Sequence, residues 1–502
     1  MRPIETLLLV ANALTFFVFL VPLPRVVRPM RYMAPVAVLL AIAQMLIEGL
    51  RWQMAPAYAL SGLFFLAWSL QNIAPKRRAA EQKPKHRLAI SLAAVLGGLA
   101  LALSIVLPTL LPVFRFPKPG GPYAIGTATY HWTDASRREV FSVDDKMCRE
   151  LIAQVWYPAK QGASSSRAPY LQDSGTVTVA LARLLNLPGF SLNHLRYVAT
   201  NAVVSVPVAA DQPRYPVLIY LEGLTGYRQQ NTFQVEELVS HGYIVVGIDQ
   251  PGAAASVSFP DGHQIPLPSV NTAMQPLIHQ SLSPVEPAPL LNGQTMPNGI
   301  LPYFAQDVSF ALDQLASLNN ADPKRLLTGK LDLPHTGVFG MSLGGMVGAE
   351  ACLGDPRIKA CLIEDVAMTA DVVQQGLQQP SMWITRPADT MRLERQTAGG
   401  WAEQDIVQTQ TTMHTVYNSL PGDGYFVQVP GMFHIDFTDL DLLSPILPMI
   451  GFSGPIGAER AHTIVNAYSV AFFDKHLNGA KAALLDGSAA QFPDVIFEMR
   501  RP

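Results

Sequence analysis

The chain has 502 residues, with 36 Lys+Arg against 38 Asp+Glu and a net charge of −2. That near balance hides a split: residues 1–112 hold 11 basic and 3 acidic side chains, and the remainder holds 25 and 35. An acidic second part without a basic run excludes the usual nucleic-acid binders, and the length suits a large enzyme domain plus a further region.

The further region comes first. Apolar stretches at 4–23, 32–50, 54–73 and 88–111 each approach the ~20 residues needed to cross a bilayer. The first has Glu5 near its start and no small-x-small cleavage site, so it reads as a retained span and not a signal peptide. Basic residues fall unevenly around the spans. Arg25, Arg28, Arg31, Lys76, Arg77, Arg78, Lys83, Lys85 and Arg87 lie on one side, against Arg2 and Arg51 on the other. The positive-inside bias puts the nine in the cytoplasm and both chain ends outside it. The expectation is a multi-pass protein of a bacterial inner or plasma membrane, with its second part extracytoplasmic. Residues 113–122, rich in Pro and Gly, read as a short stiff linker.

From 123 onward strands and helices alternate, which predicts α/β architecture with a mostly parallel sheet. Parallel strands are expected at 216–221, 243–249, 335–339, 358–363, 381–386 and 424–429. Helices are expected at 231–241, 303–317, 342–353 and 458–478. Two earlier segments, 123–132 and 150–157, add antiparallel strands. Residues 253–302 hold nine prolines among apolar residues, which excludes a long helix or central strand. No regular element is expected there. A loop of that length suggests a lid, against the plainer reading of a surface loop.

The chemistry centres on Gly340-Met341-Ser342-Leu343-Gly344, a Gly-x-Ser-x-Gly between a strand and a helix. Such a turn strains the serine backbone and exposes its hydroxyl, and the glycines avoid collisions with strand and helix. The helix N-terminus and the amide after the serine favour an oxyanion. The serine needs a base and an acid, expected in the order Ser, Asp or Glu, His. His434 follows a strand-like segment, where a general base belongs, whereas His462 and His476 fall in a helical pattern and His414 in a polar stretch. Glu364 and Asp365 end the strand after the nucleophile helix. Asp365 is the expected acid, since strand alternation turns Glu364 to the other face. Asp389, after the next strand, is the second candidate.

These segments resemble the platelet-activating factor acetylhydrolase group of α/β-hydrolases and, more loosely, dienelactone hydrolases. The resemblance rests on Gly340 to Gly345, on Asp365 in Leu362-Ile363-Glu364-Asp365-Val366, and on His434-Ile435-Asp436-Phe437. Upstream it takes in Leu221-Glu222-Gly223-Leu224, the counterpart of the family's oxyanion loop, and it spans roughly residues 121–479. It implies an α/β-hydrolase fold for 123–502, whereas the four transmembrane helices in 1–112 and the lid-like insertion at 253–302 are read from the residues themselves. It also implies a triad of Ser342, Asp365 and His434, with the amides of Leu224 and Leu343 holding the oxyanion. Two positions depart from the family: Glu222 and Met341 stand where members usually have His. A carboxylate at Glu222 would oppose the developing negative charge unless paired or turned away.

Cys148, Cys352 and Cys361 are odd in number and read as small apolar residues. No metal, nucleotide or redox motif appears, so no cofactor is expected. The leading expectation is a membrane-anchored serine esterase acting on a small ester or lipid. An acyltransferase with the same triad and a non-catalytic membrane receptor or scaffold are the alternatives. The sequence gives no oligomeric state.

Overall fold

A computed structural model describes residues 1–20, 30, 32–73, 84–144, 146–160, 162 and 166–501. The basic residues that carry the topology argument between 25 and 31 and between 76 and 83 lie outside the described residues, as do the side chains of Lys85 and Arg87. The chain divides into two compact units. The smaller comprises Met1–Phe114 with Asn193–Val198 and Leu443–Ile446, and the larger the remainder.

In the smaller unit helices α1 (Pro3–Leu20), α2 (Met33–Ile47), α3 (Ala55–Ile73) and α4 (Pro84–Leu110) occupy the four apolar stretches. Among the described residues two are long and apolar enough to cross a membrane, Pro3–Leu20 and Ser91–Leu110. At 15 residues α2 is about 22 Å long, short of a ~30 Å hydrocarbon core. Polar residues including Ser61, Ser69, Gln71 and Asn72 dilute α3. Several buried polar groups of the unit are paired. Arg51 binds both oxygens of buried Glu5 at 2.7 Å and donates to the Leu111 carbonyl at 2.9 Å. Within α1, Asn12 donates to the Ala57 carbonyl at 3.0 Å and accepts from Ser61 at 3.0 Å. Buried polar groups in an apolar bundle demand such partners.

The larger unit is built on one 11-stranded sheet. Its strands are β1 (Ala124–Arg138), β2 (Cys148–Ala159), β3 (Arg167–Pro169), β4 (Ala199–Val204), β5 (Tyr215–Leu221) and β6 (Ile244–Asp249). After two small hairpins, β7 (Ser256–Ser258) with β8 (Gln264–Pro266) and β9 (Leu290–Leu291) with β10 (Gln294–Thr295), come β11 (Leu331–Met341), β12 (Ile358–Glu364), β13 (Ser381–Thr385), β14 (Gly424–Gln428) and β15 (Ile496–Arg500). The order across the sheet is β15-β14-β13-β12-β11-β5-β6-β2-β1-β4-β3. The six strands from β14 to β6 are mutually parallel, and β15 and β2 flank them antiparallel.

The parallel strands are buried on both faces. In β5, Val217, Ile219 and Leu221 join one core, and Leu218 and Tyr220 the other. Period-two alternation in a wholly apolar run does this. Helices α8 (Leu301–Asn320) and α9 (Leu343–Gly354) cover the first face, and α6 (Thr232–Ser240) and α13 (Ala458–Asn478) the second. The remaining helices are α5 (Ser174–Leu184), α7 (Gln275–Leu282), α10 (Ala370–Gln375), α11 (Ala388–Ala398) and α12 (Glu403–Ser419). The expectation of no regular element in 253–302 needs correction, because β7 to β10 and α7 lie within it. The prolines are spread along the segment but leave 277–283 clear, and Pro276 sits in the first helical turn, where a missing N–H costs nothing.

Candidate active site

Ser342 stands between β11 and α9 with φ +57° and ψ −124°, a left-handed conformation costly for a residue with a Cβ. Two bonds hold it there. Its N–H donates to the Glu364 carbonyl at 2.9 Å, and its carbonyl accepts from Gly345 N at 2.9 Å. The glycines permit the crossing of strand and helix. A Cβ on Gly344 would lie 2.1 Å from the Leu221 carbonyl oxygen, and one on Gly340 would lie 2.5 Å from Gly344. The strained turn therefore exists only because these positions lack side chains.

The structure brings Ser342, His434 and Asp365 together. His434 Nε2 is 3.0 Å from Ser342 Oγ, and His434 Nδ1 is 2.6 Å from Asp365 Oδ2. A carboxylate on Nδ1 requires the proton there, which leaves Nε2 free to accept from the serine hydroxyl. Asp365 also has positive φ, +52°, directly after β12. His434 opens a short 3-10 turn, His434–Phe437, in the loop after β14. Asp436 fixes that loop by accepting from Phe433 N at 2.7 Å and Gly454 N at 2.8 Å.

Leu343 is the first residue of α9, so its N–H is one of the four left without an intrahelical acceptor. Leu224 lies in the loop after β5. Both Leu224 and Leu343 line a cavity with Ser342. The loop presses on the serine: a Cβ on Gly223 would come 3.4 Å from Ser342 Cβ.

The concern over Glu222 is corrected by its surroundings. Burial and the neighbouring Asp249 push its pKa well above the ordinary carboxylate value. Its Oε1 accepts from Gln250 N at 2.8 Å, toward the end of β6. Both causes disfavour the charged form of Glu222, and its hydrogen bond turns the carboxyl toward Gln250. Glu364, as alternation predicts, turns away from the triad and accepts from Gln234 at 2.6 Å. Burial raises its pKa to about 8.

Asp389 is exposed on α11 and pairs with Arg392 at 2.9 Å, remote in role from His434. His462 is buried against Phe233 and contacts Asp441 at 3.2 Å; His414 stacks on Phe426. Both pack. Cys352 and Cys361 are buried and Cys148 is partly exposed; all three are free. Among the described residues no cluster of His, Cys, Asp or Glu suits a metal ion.

Sequence reasoning missed three neighbours of the triad. Arg386, after β13, contacts Asp365 Oδ2 through Nε at 2.7 Å and pairs with Glu394. Glu394 Oε1 accepts the His434 backbone N–H at 3.3 Å. The Trp401 ring meets the His434 ring edge to face at 5.2 Å. Burial alone would raise the Asp365 pKa. The Arg386 charge, then the hydrogen bond from His434, outweigh it and hold the carboxyl well below the ordinary range.

Two cavities flank Ser342 and share Leu224 and Trp401 as walls. One, of ≈ 230 Å³, runs past Leu343, Met346, Val366 and Ala367 to Ile278 and Leu282 of α7. The other, of ≈ 320 Å³, is lined by His434, Ile435, Gly399, Gly400 and Phe452.

Comparison with known proteins bears on the fold and on the class of relative. Residues 111–265 match the family model "Platelet-activating factor acetylhydrolase, isoform II", a match that includes Leu224 and ends before Ser342. The "Platelet-activating factor acetylhydrolase" of Cavia porcellus is 24% identical over 300 residues, 55% of this chain and 61% of that protein. The chain thus spans less than two thirds of that relative's length. A solved "Ferulic acid esterase from Streptomyces cinnamoneus" superposes with a TM-score of 0.59 at 24% identity, covering 77% of this chain and 99% of its own. With its parallel sheet, its strained serine turn and the Asp365 and His434 side chains brought to that serine, the larger unit has the α/β-hydrolase fold, of the type that these acetylhydrolase and esterase relatives represent.

Proposed function

We propose that the chain is a membrane-tethered serine hydrolase of carboxylic esters, of the acetylhydrolase or lipase type. The observation that carries the reading is the unbroken line Ser342 Oγ, His434 Nε2, His434 Nδ1, Asp365 Oδ2, with steps of 3.0 and 2.6 Å, at the floor of two cavities. Ser342 Oγ attacks the acyl carbon as its proton passes to His434 Nε2. The amides of Leu224 and Leu343 hold the oxyanion. Collapse breaks the bond to the alcohol oxygen, which takes the proton from His434. Water then gives a proton to His434 and attacks the acyl-enzyme, and Ser342 regains its hydrogen as the acid leaves.

The leaving oxygen must reach His434, so the 320 Å³ cavity beside that residue takes the alcohol part. The 230 Å³ cavity, walled on one side by Ile278, Leu282, Met346 and Val366, takes a short or medium acyl chain. Residues 275–282 wall the acyl cavity, which supports a lid role for the 253–302 segment. The helices of the first 112 residues are proposed as four membrane spans, with the larger unit extracytoplasmic.

The test is turnover of p-nitrophenyl acetate and butyrate by the purified chain and by Ser342→Ala. Turnover by the wild type and none by the folded variant is expected. Equal rates for both, or none for either, would remove the esterase reading. Product analysis with a competing alcohol separates hydrolysis from acyl transfer.

A further inference from the structure

Asp365 is held from more than one side. Its Oδ2 receives His434 Nδ1 at 2.6 Å and meets Arg386 Nε at 2.7 Å, while Oδ1 accepts from Thr385 Oγ1 at 3.0 Å. Arg386 is 1% exposed. Its guanidinium pairs with Glu394 and lies 5.1 Å from the centre of the Trp401 ring. Glu394 and Trp401 each touch His434, the first at its backbone N–H and the second at its ring. One buried cation therefore contacts the acid directly, and its two other neighbours contact the base.

This arginine is a poor device for stability. Its Nη2 makes no hydrogen bond among the described residues although it is buried, and its Nε meets the Asp365 carboxylate only off the line of the N–H. A buried charge with unsatisfied N–H groups costs more than a well-packed apolar side chain of similar size. Such a cost is tolerated where a site needs the charge.

We propose that Arg386 is a positioning residue for ester cleavage, holding the Asp365 carboxylate in place and, through Glu394 and Trp401, the His434 imidazole on Ser342. The proposal rests on the esterase reading above. Its electrostatic consequence follows from the charges around His434: Asp365 and Glu394 are negative, Arg386 is positive, and Glu364 behind Asp365 is neutral until about pH 8. Arg386 offsets part of the negative charge that Asp365 and Glu394 place beside His434. Glu394 moderates the same cation. Removing either partner should therefore move the acid limb of kcat/KM in opposite directions, which a role in stability alone would not do.

The experiment measures the pH dependence of kcat and KM on p-nitrophenyl acetate for the full chain, with thermal midpoints as a check on folding. Arg386→Gln should lower kcat on the order of 10²-fold through misplacement of the base, and its acid limb should move to higher pH. Arg386→Lys should restore much of the limb position. Glu394→Gln should move the limb to lower pH, and it keeps the test open if Arg386→Gln does not fold. Acid limbs unmoved in the folded variants, or moved the same way in both, would overturn the role of Arg386 while leaving the esterase reading intact. A wild type without turnover would instead remove that reading, and this role with it.

Discussion

Asp365 and Asp389 each follow a strand of the same sheet, and their surroundings set them apart. Asp365 is fully buried and bonded to His434, whereas Asp389 is exposed and paired with Arg392. Asp365→Asn should lower kcat on the order of 10⁴-fold, because an amide cannot select the same imidazole tautomer. Asp389→Asn should change it by less than about twofold, as surface substitutions do. Steady-state kinetics on one ester checks both, and the opposite ranking would move the acid to Asp389. The three residues that the structure brings together were legible because each sits at the C-terminal end of a strand, in the chain order that this chemistry uses. Arg386, Glu394 and Trp401 were not. A salt bridge between two loops leaves no local pattern, and nothing in Glu222 itself announces that burial and Asp249 disfavour its charge.

Among the elements, the central strands were legible because parallel strands buried on both faces are continuous apolar runs. Helix α12 was missed because Gln and Thr dominate it, although Ile406, Thr409, Met413 and Val416 form a buried stripe at helical spacing. Strand β15 was missed because it lies at the sheet edge and is mostly exposed, with no apolar face to mark it. The 253–302 segment shows how prolines mislead, since a free window of a few residues is enough for α7. Gln275, Ile278, His279 and Leu282 of that helix line the 230 Å³ cavity proposed for the acyl chain. Shortening the segment should therefore alter the ratio of butyrate to acetate turnover more than it alters turnover of acetate. An unchanged ratio in a folded variant would assign the segment to the surface.

For the whole molecule, burial sets a pH dependence of stability. It raises the pKa of Glu364 to about 8, of Glu236 to about 7 and of Asp436 to about 6. A carboxyl raised on folding contributes fully below its unfolded value of ~4 and loses that contribution as pH rises through the folded value. Asp365 and Asp307 are lowered, so their contributions fade only in acid. The thermal midpoint of the larger unit should fall from about pH 5 to about pH 8, and Glu364→Gln should flatten the fall. A midpoint that rises across that interval would contradict the assignment of neutral buried carboxyls. The proposed topology is tested by reporters. One after Pro502 should act as extracytoplasmic and one between Pro75 and Arg87 as cytoplasmic, whereas protection of the larger unit inside the cell would reverse the orientation and leave the chemistry standing. The chemistry itself is tested most directly by fluorophosphonate labelling of the purified chain, read by intact mass and peptide mapping. A single adduct on Ser342, absent in Ser342→Ala and slowed in Asp365→Asn, is the expected result. A folded chain that takes no label at Ser342 would contradict the assignment of this serine as the nucleophile.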